Sequence, residues 1–232
     1  MAHWTLDILI PAYRVVFALQ GDEVVELRAQ STFGTFQSYR KLPDTVPGMI
    51  AWPNTVLLTG PENIIVDPGY QTQGDMLVGV LETRGLTPDD IDTVVMTHLH
   101  SDHVTALPQL DEVVLYVHED EMESPHSEIY RGARDKADIR LLTGDEGEIR
   151  PGLRWVATPG HSPGHVCVVV DTADGLAVIA GDTLGPNPEW FAEMDLPEGF
   201  PDRDAHLAAF ERIQSLGPSL IIPGHYPPVD LR

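Results

Sequence analysis

A chain of 232 residues and 25.5 kDa, 42% apolar and 22% charged, is long enough for a buried core and too ordinary in composition to be disordered or fibrous. It holds no uninterrupted apolar run of the roughly 18 residues a membrane helix needs, and 36 acidic against 14 basic side chains give a net charge of −22, which repels polyanions and disfavours nucleic acid as a partner. A single cysteine, Cys167, and an opening MAHWTLDILIPAYRVV without the basic start, apolar stretch and cleavage site of a secretory leader make a reducing cytoplasm the expected address.

In chain order, short apolar runs bounded by Gly, Pro and Asp predict strands at 56–58, 64–66, 94–96, 113–117, 153–157, 166–170, 176–180 and 220–222. Between them, Leu77, Val80, Leu81 and Arg84 followed by Gly85 have the spacing of a helix with a terminal glycine. Leu207, Phe210, Ile213 and Leu216 followed by Gly217 repeat it, with Asp202 and Asp204 as candidate caps. Alternating strands and helices predict an α/β or α+β protein rather than an all-β one. No repeat, low-complexity tract or linker interrupts the pattern, so one domain over residues 1–232 is expected. Segments 33–52, 118–136 and 184–203 lack clean periodicity and are candidate substrate loops, or equally loops that cap sheet edges.

Within the 94–96 region the apolar run continues as VVMTHLHSDH over residues 94–103, delivering His98, His100, Asp102 and His103 from one strand end. A metal needs several neutral or deprotonated donors converging at about 2.0–2.2 Å from a rigid element. His98 and His100 can share one side of an extended chain, whereas the adjacent Asp102 and His103 can diverge toward a second centre. More donors follow other predicted strands: His161 in TPGH after 153–157, Asp182 in GD after 176–180, and His225 in PGH after 220–222. This recurrence predicts four loops meeting on one sheet edge, with glycine permitting close backbone approach.

On these motifs, from IIVDPG at residues 64–69 to His225, the chain resembles the metallo-β-lactamase-fold metallohydrolases, in the lactonase and glyoxalase II-like branch. The resemblance implies an α/β four-layer αβ/βα sandwich with two divalent metal ions at one edge. Zinc is the first expectation, and iron and manganese suit the same His and carboxylate donors. One ion would sit on His98, His100 and His161, the other on Asp102, His103 and His225, with Asp182 bridging and Asp67 supporting the ligands from behind. The implied reaction is attack of a metal-bridging hydroxide on a small ester, lactone or thioester carbonyl, with Asp102 as the catalytic group that orients the hydroxide and moves its proton.

Departures from subfamily patterns narrow the substrate. Asp182 stands where zinc β-lactamases of the main group carry Cys, and His100 where flavodiiron proteins usually carry Glu. Only seven residues follow His225, leaving no room for the C-terminal glutathione-binding domain of glyoxalase II. Gly185 replaces the Tyr that quorum-quenching lactonases often place three residues after the bridging Asp. Alternative readings are a phosphodiesterase or ribonuclease of the same fold, which would need Arg131, Arg134 and Lys136 to form a local basic patch, and a mononuclear-iron persulfide dioxygenase on His98, His161 and Asp182. A non-catalytic binding module is the remaining one.

Phe33, Phe36, Tyr39, Trp190 and Phe191 are candidate walls of a small-molecule pocket, and Tyr226 a candidate oxyanion donor or packed turn residue. His165 is expected to support its own loop, His118 to be a surface or loop histidine, and Cys167 to be an inert core residue. His3, His126 and His206 have no motif context. A homo-oligomer is compatible with the sequence, which sets no oligomeric state.

Overall fold

The computed structural model describes residues 4–20, 23–28, 48–110, 112–124, 137–185 and 189–232. The first part of the chain forms β1 (Thr5–Ile10), β2 (Tyr13–Gln20), β3 (Glu23–Arg28), β4 (Gly48–Trp52), β5 (Thr55–Thr59) and β6 (Asn63–Val66). Helix α1 (Gly74–Glu82), β7 (Thr93–Val95), the single helical turn α2 (Ser101–Val104), β8 (Val114–His118) and β9 (Asp138–Leu142) follow. The second part forms β10 (Glu146–Arg150), β11 (Leu153–Ala157), β12 (Val166–Thr172), β13 (Gly175–Gly181), α3 (Glu189–Glu193), α4 (Arg203–Ser215), β14 (Leu220–Pro223) and β15 (Val229–Asp230). One six-stranded sheet has the order β1-β5-β6-β7-β8-β9, a second β10-β11-β12-β13-β14-β15, and β3-β2-β4 form a small third sheet.

The predicted strands are apolar at successive positions because each is covered on both faces. Leu57, Ile65 and Val94 point into a core shared with Leu77 and Leu81 of α1, while Val56, Leu58, Ile64, Val66 and Val95 point the other way. There they meet Val166, Val168, Val170, Ala177, Ile179 and Ile222 of the second sheet. The opposite faces of those strands, through Cys167, Val169, Val178, Ala180 and Ile221, pack on Phe191 of α3 and on Phe210 and Ile213 of α4. The layers therefore run helix, sheet, sheet, helix. Phe210 and Ile213 are fully buried, and each such side chain contributes about 1.5–3 kcal/mol by leaving water.

Strand direction then puts one sheet edge to use. β6, β7, β8 and β9 are mutually parallel. β11 and β13 are both antiparallel to β12, so they run the same way, and β14 is parallel to β13. Loops that leave β6, β7, β11, β13 and β14 consequently carry Asp67, the His98–His103 segment, His161, Asp182 and His225. The two sheets are stitched beside this edge by Val166 N–H donating to Thr97 O at 2.9 Å and Asn54 N–H donating to Gly224 O at 2.7 Å.

Both predicted helices form, and Gly217, at φ +65°, terminates α4. Asp202 takes the N-cap position of α4 in a left-handed conformation but makes no side-chain capping bond, and Asp204 places a carboxylate in the positive first turn. The segments without periodicity are partly structured: 33–52 ends in β4, 118–136 opens on the end of β8 and a 3-10 turn Glu119–Glu123, and 184–203 contains α3. No helix among the described residues is long and apolar enough to cross a membrane.

Candidate metal centre

The strand ends bring seven donor side chains together. His98, His100, His161 and Asp182 form one group with ligand atoms within 4.8 Å of one another, and Asp102, His103 and His225 form another. The helical turn α2 separates the second group from the first: successive residues of a helix diverge by about 100°, so Asp102 and His103 leave the line set by His98 and His100. Asp182 lies between the groups. Its Oδ1 is 3.3 Å from His103 Nε2, and its Oδ2 is 3.3 Å from His161 Nε2 and 3.5 Å from His225 Nε2. Asp102 Oδ2 lies 3.0 Å from His225 Nε2.

A second set of contacts orients these rings. Asp67, 2% exposed and at φ +51°, accepts Thr97 N–H at 2.8 Å on Oδ1. Its Oδ2 accepts the Thr97 hydroxyl at 2.6 Å and His103 Nδ1–H at 2.8 Å. Thr97 Oγ1 is also 3.0 Å from His98 Nδ1. With the hydroxyl proton committed to Asp67, His98 Nδ1 donates to Thr97, so both His98 and His103 turn Nε2, the nitrogen an ion would take, toward the cluster. His165 is fully buried, accepts Asp182 N–H on Nε2 at 3.2 Å and reaches Thr158 Oγ1 through Nδ1 at 2.9 Å. It supports the backbone of Asp182 from within its loop.

Electrostatics follow from burying this many ionisable groups. Burial, then the charge of His103, pushes His98 well down, and burial also lowers His161. Burial acts to raise Asp182, but His225, His103 and His161 outweigh it and hold its carboxyl well below the usual range. Conversely, burial acts to lower His103 and His225, yet Asp182 with Asp67 raises the first well up, and Asp182 with Asp102 raises the second to about 9. His98 Nε2, His103 Nε2, Asp182 Oδ1 and His225 Nδ1 are buried without a hydrogen bond among the described residues. Buried atoms left so are costly, at about 1–3 kcal/mol each, and three of the four face the gap between the groups. Imidazole and carboxylate donors converging on such a gap fit divalent cations.

The other residues singled out in the sequence are placed as follows. Trp190 and Phe191 are 8% and 6% exposed in the core beneath the second sheet, with Trp190 edge-on to Phe200 and Phe191 edge-on to Phe210. Phe33, Phe36 and Tyr39 lie outside the described residues, as do Arg131, Arg134 and Lys136. Tyr226 is half-buried, and its carbonyl accepts Asn54 Nδ2–H at 2.7 Å. His118 is not a surface residue: it is 5% exposed and bonds to Gly144 O at 3.0 Å. Cys167 is buried, and burial lifts its thiol to about 11.

Three contributors are invisible in local sequence pattern. Asn54 binds Pro223 O at 2.6 Å and Tyr226 O through Nδ2, and accepts Ala12 N–H at 2.7 Å, which fixes the turn that presents His225. His206 is 2% exposed and packs beside Gly160, where a Cβ would stand 2.8 Å from its Nδ1. Glu121 is fully buried and accepts backbone N–H groups of Leu99 and Gly164. Only the TPGH glycine hinted at any of these, since it marks a close approach.

Comparison with known proteins agrees with this geometry. The family model described as Metallo-beta-lactamase superfamily matches residues 53–225. Metallo-beta-lactamase domain-containing protein 1 of Homo sapiens is 31% identical over 241 aligned positions, covering 95% of this chain and 84% of that protein. The N-acyl homoserine lactonase AiiA of Bacillus thuringiensis subsp. kurstaki is 28% identical over 148 positions, 62% of this chain and 58% of that one. A solved N-acyl homoserine lactone hydrolase, with N-hexanoyl-L-homoserine bound at its catalytic metal center, shares the fold at TM-score 0.65 and 20% identity, covering 96% of this chain and 92% of that chain. Because the family match spans the very strand ends that gather here, the chain belongs to the metallo-beta-lactamase superfamily and is a metal-dependent hydrolase.

Proposed function

We propose that the chain is a dinuclear hydrolase of a small carboxylic ester, lactone or thioester. His98, His100 and His161 would hold one divalent ion, Asp102, His103 and His225 the other, and Asp182 would contribute an oxygen to each. The observation that carries this reading is the position of Asp182, with one oxygen 3.3 Å from His103 and the other 3.3 Å from His161. Two bound cations would supply Lewis acidity toward a carbonyl oxygen and lower the pKa of bound water to about 7. Asp102 is the carboxylate that reaches the cleft, with 29% of its side chain exposed against 12% for Asp182. Burial acts to raise it, but His225 and His103 keep it ionised, so it can accept a hydrogen bond from attacking water, orient it, and pass its proton to the leaving oxygen or sulfur.

The lactonase relative supports a carbonyl substrate, and the net charge of −22 argues against a polyanionic one. Zinc is the proposed metal. The test is elemental analysis of protein purified without added metal, followed by assays of the loaded protein on lactones, simple esters and thioesters. Two ions per chain and turnover of at least one bond type are expected. Loaded protein that turns over none of the three refutes the substrate class, and a single ion per chain refutes the dinuclear assignment.

A further inference from the structure

We propose that Glu121 is a positioning residue for the first of the two ion sites, a buried strut that sets His98 and His100 of one sheet against His161 of the other. This rests on the dinuclear reading above. Glu121 lies in the 3-10 turn Glu119–Glu123 that follows β8, and is fully buried. Its Oε2 accepts the backbone N–H of Leu99 at 3.0 Å, and its Oε1 accepts that of Gly164 at 2.9 Å. Leu99 is the residue between His98 and His100, and Gly164 is three residues past His161 in the same loop. One carboxylate thus grips both ligand-bearing segments by their main chains, at points within three residues of every imidazole of that group.

Several features argue that this contact is built for placement. A buried carboxylate is costly unless hydrogen-bonded, and a core position this enclosed is ordinarily filled by an apolar residue. Here the two oxygens are divided between separate loops, so the group acts as a spacer of fixed length. Gly164 fits it closely: a Cβ there would stand 2.5 Å from the Glu121 backbone nitrogen and 3.0 Å from its Cγ. The turn carrying Glu121 is itself anchored, with Asp120 N–H donating to His118 Nδ1 at 3.2 Å and His118 Nε2 bonded to Gly144 O at 3.0 Å. By contrast, His103 is held through Asp67 and the turn of His225 through Asn54, and no bond from Glu121 to Asp102, His103 or His225 themselves is present among the described residues.

The role is therefore selective for one ion. Glu121→Gln keeps the volume and one acceptor oxygen but turns an amide N–H₂ toward the other backbone N–H. Glu121→Asp keeps the charge and is too short to span both loops. Metal-free wild type, Glu121→Gln and Glu121→Asp would be titrated with zinc ion by calorimetry, and with cobalt(II) while recording its visible spectrum, which reports ligand geometry. Wild type is expected to take up two ions. Each variant is expected to bind one ion as wild type does and the other about 10–100-fold more weakly, with an altered cobalt spectrum for the weakened ion only. Both ions bound with wild-type affinity and spectrum would overturn the inference, as would equal weakening of both. Wild type that takes up a single ion would instead overturn the dinuclear reading itself.

Discussion

Replacing Asp67 with Asn changes one atom and tests how the ligand rings are held. In the wild-type chain one carboxylate accepts three hydrogen bonds, from Thr97 N–H, the Thr97 hydroxyl and His103 Nδ1–H. Asn has one acceptor oxygen and two N–H donors. If its oxygen turns toward His103 and the Thr97 hydroxyl, its amide confronts the Thr97 N–H, and two buried donors face each other at a cost of about 1–3 kcal/mol. If it turns the other way, Thr97 N–H is satisfied, but His103 Nδ1 must become an acceptor. The ring then keeps its proton on Nε2, the nitrogen that faces Asp182 at 3.3 Å. The first arrangement lowers the melting temperature of the metal-free protein by about 2–4 °C per kcal/mol. The second spares stability and weakens metal binding about 10–100-fold. Differential scanning calorimetry and zinc titration of Asp67→Asn are expected to show at least one of these losses. A variant with the wild-type melting temperature and wild-type zinc affinity would refute the tautomer argument outright.

Other substitutions probe separate parts of the edge. Gly224→Ala would drive a Cβ into Asp182 Oδ1 and against the Gly181 main chain, so the variant is expected to bind fewer ions per chain, measured by elemental analysis after dialysis; full loading would contradict the close approach. The Cys167 thiol, raised to about 11 by burial, is expected to resist thiol reagents at pH 8 in folded protein and to react at once in denaturant, which a colorimetric thiol assay reads. His206 is held down to about 4 from 6.5, by burial first and then by His161. Because its unfolded form gains a proton near 6.5 and its folded form only near 4, stability from this group is intact above pH 6.5 and declines as pH falls between those values. Urea unfolding of metal-free His206→Phe across that window is expected to show a shallower acid-side decline, by up to one proton, and an unchanged slope would count against it.

Legibility in the sequence tracks burial on both faces. Strands such as Val166–Thr172 and Gly175–Gly181 stand out because the two cores on either side of the sheet leave almost no polar position. The ligand loops stand out because each follows such a strand. Strands β1, β9 and β10 carry exposed Thr5, Asp138, Arg140 and Glu146 on their open sides, and that mixture masks them. Helix α3 is five residues long, too short to display a period. What pattern cannot carry at all is a bond to a distant main chain: Asn54 acts on partners 169 and 172 residues away, and Glu121 on partners 22 and 43 away. Such residues look like ordinary polar positions until the fold closes around them.

The division of the donors between the sheets has a mechanical consequence. The half of the polypeptide ending at Leu142 supplies His98, His100, Asp102 and His103, and the half beginning at Glu146 supplies His161, Asp182 and His225. Neither half holds all the donors of either proposed ion site, and the crossing between them passes through Gly144. A bound ion would therefore clasp two leaves that also meet through their apolar faces, main-chain bonds, the Glu121 and Asn54 side chains and the Arg150–Glu62 ion pair. Cut at that crossing, the protein would become a pair of fragments whose reunion, driven by the shared apolar core, metal would tighten.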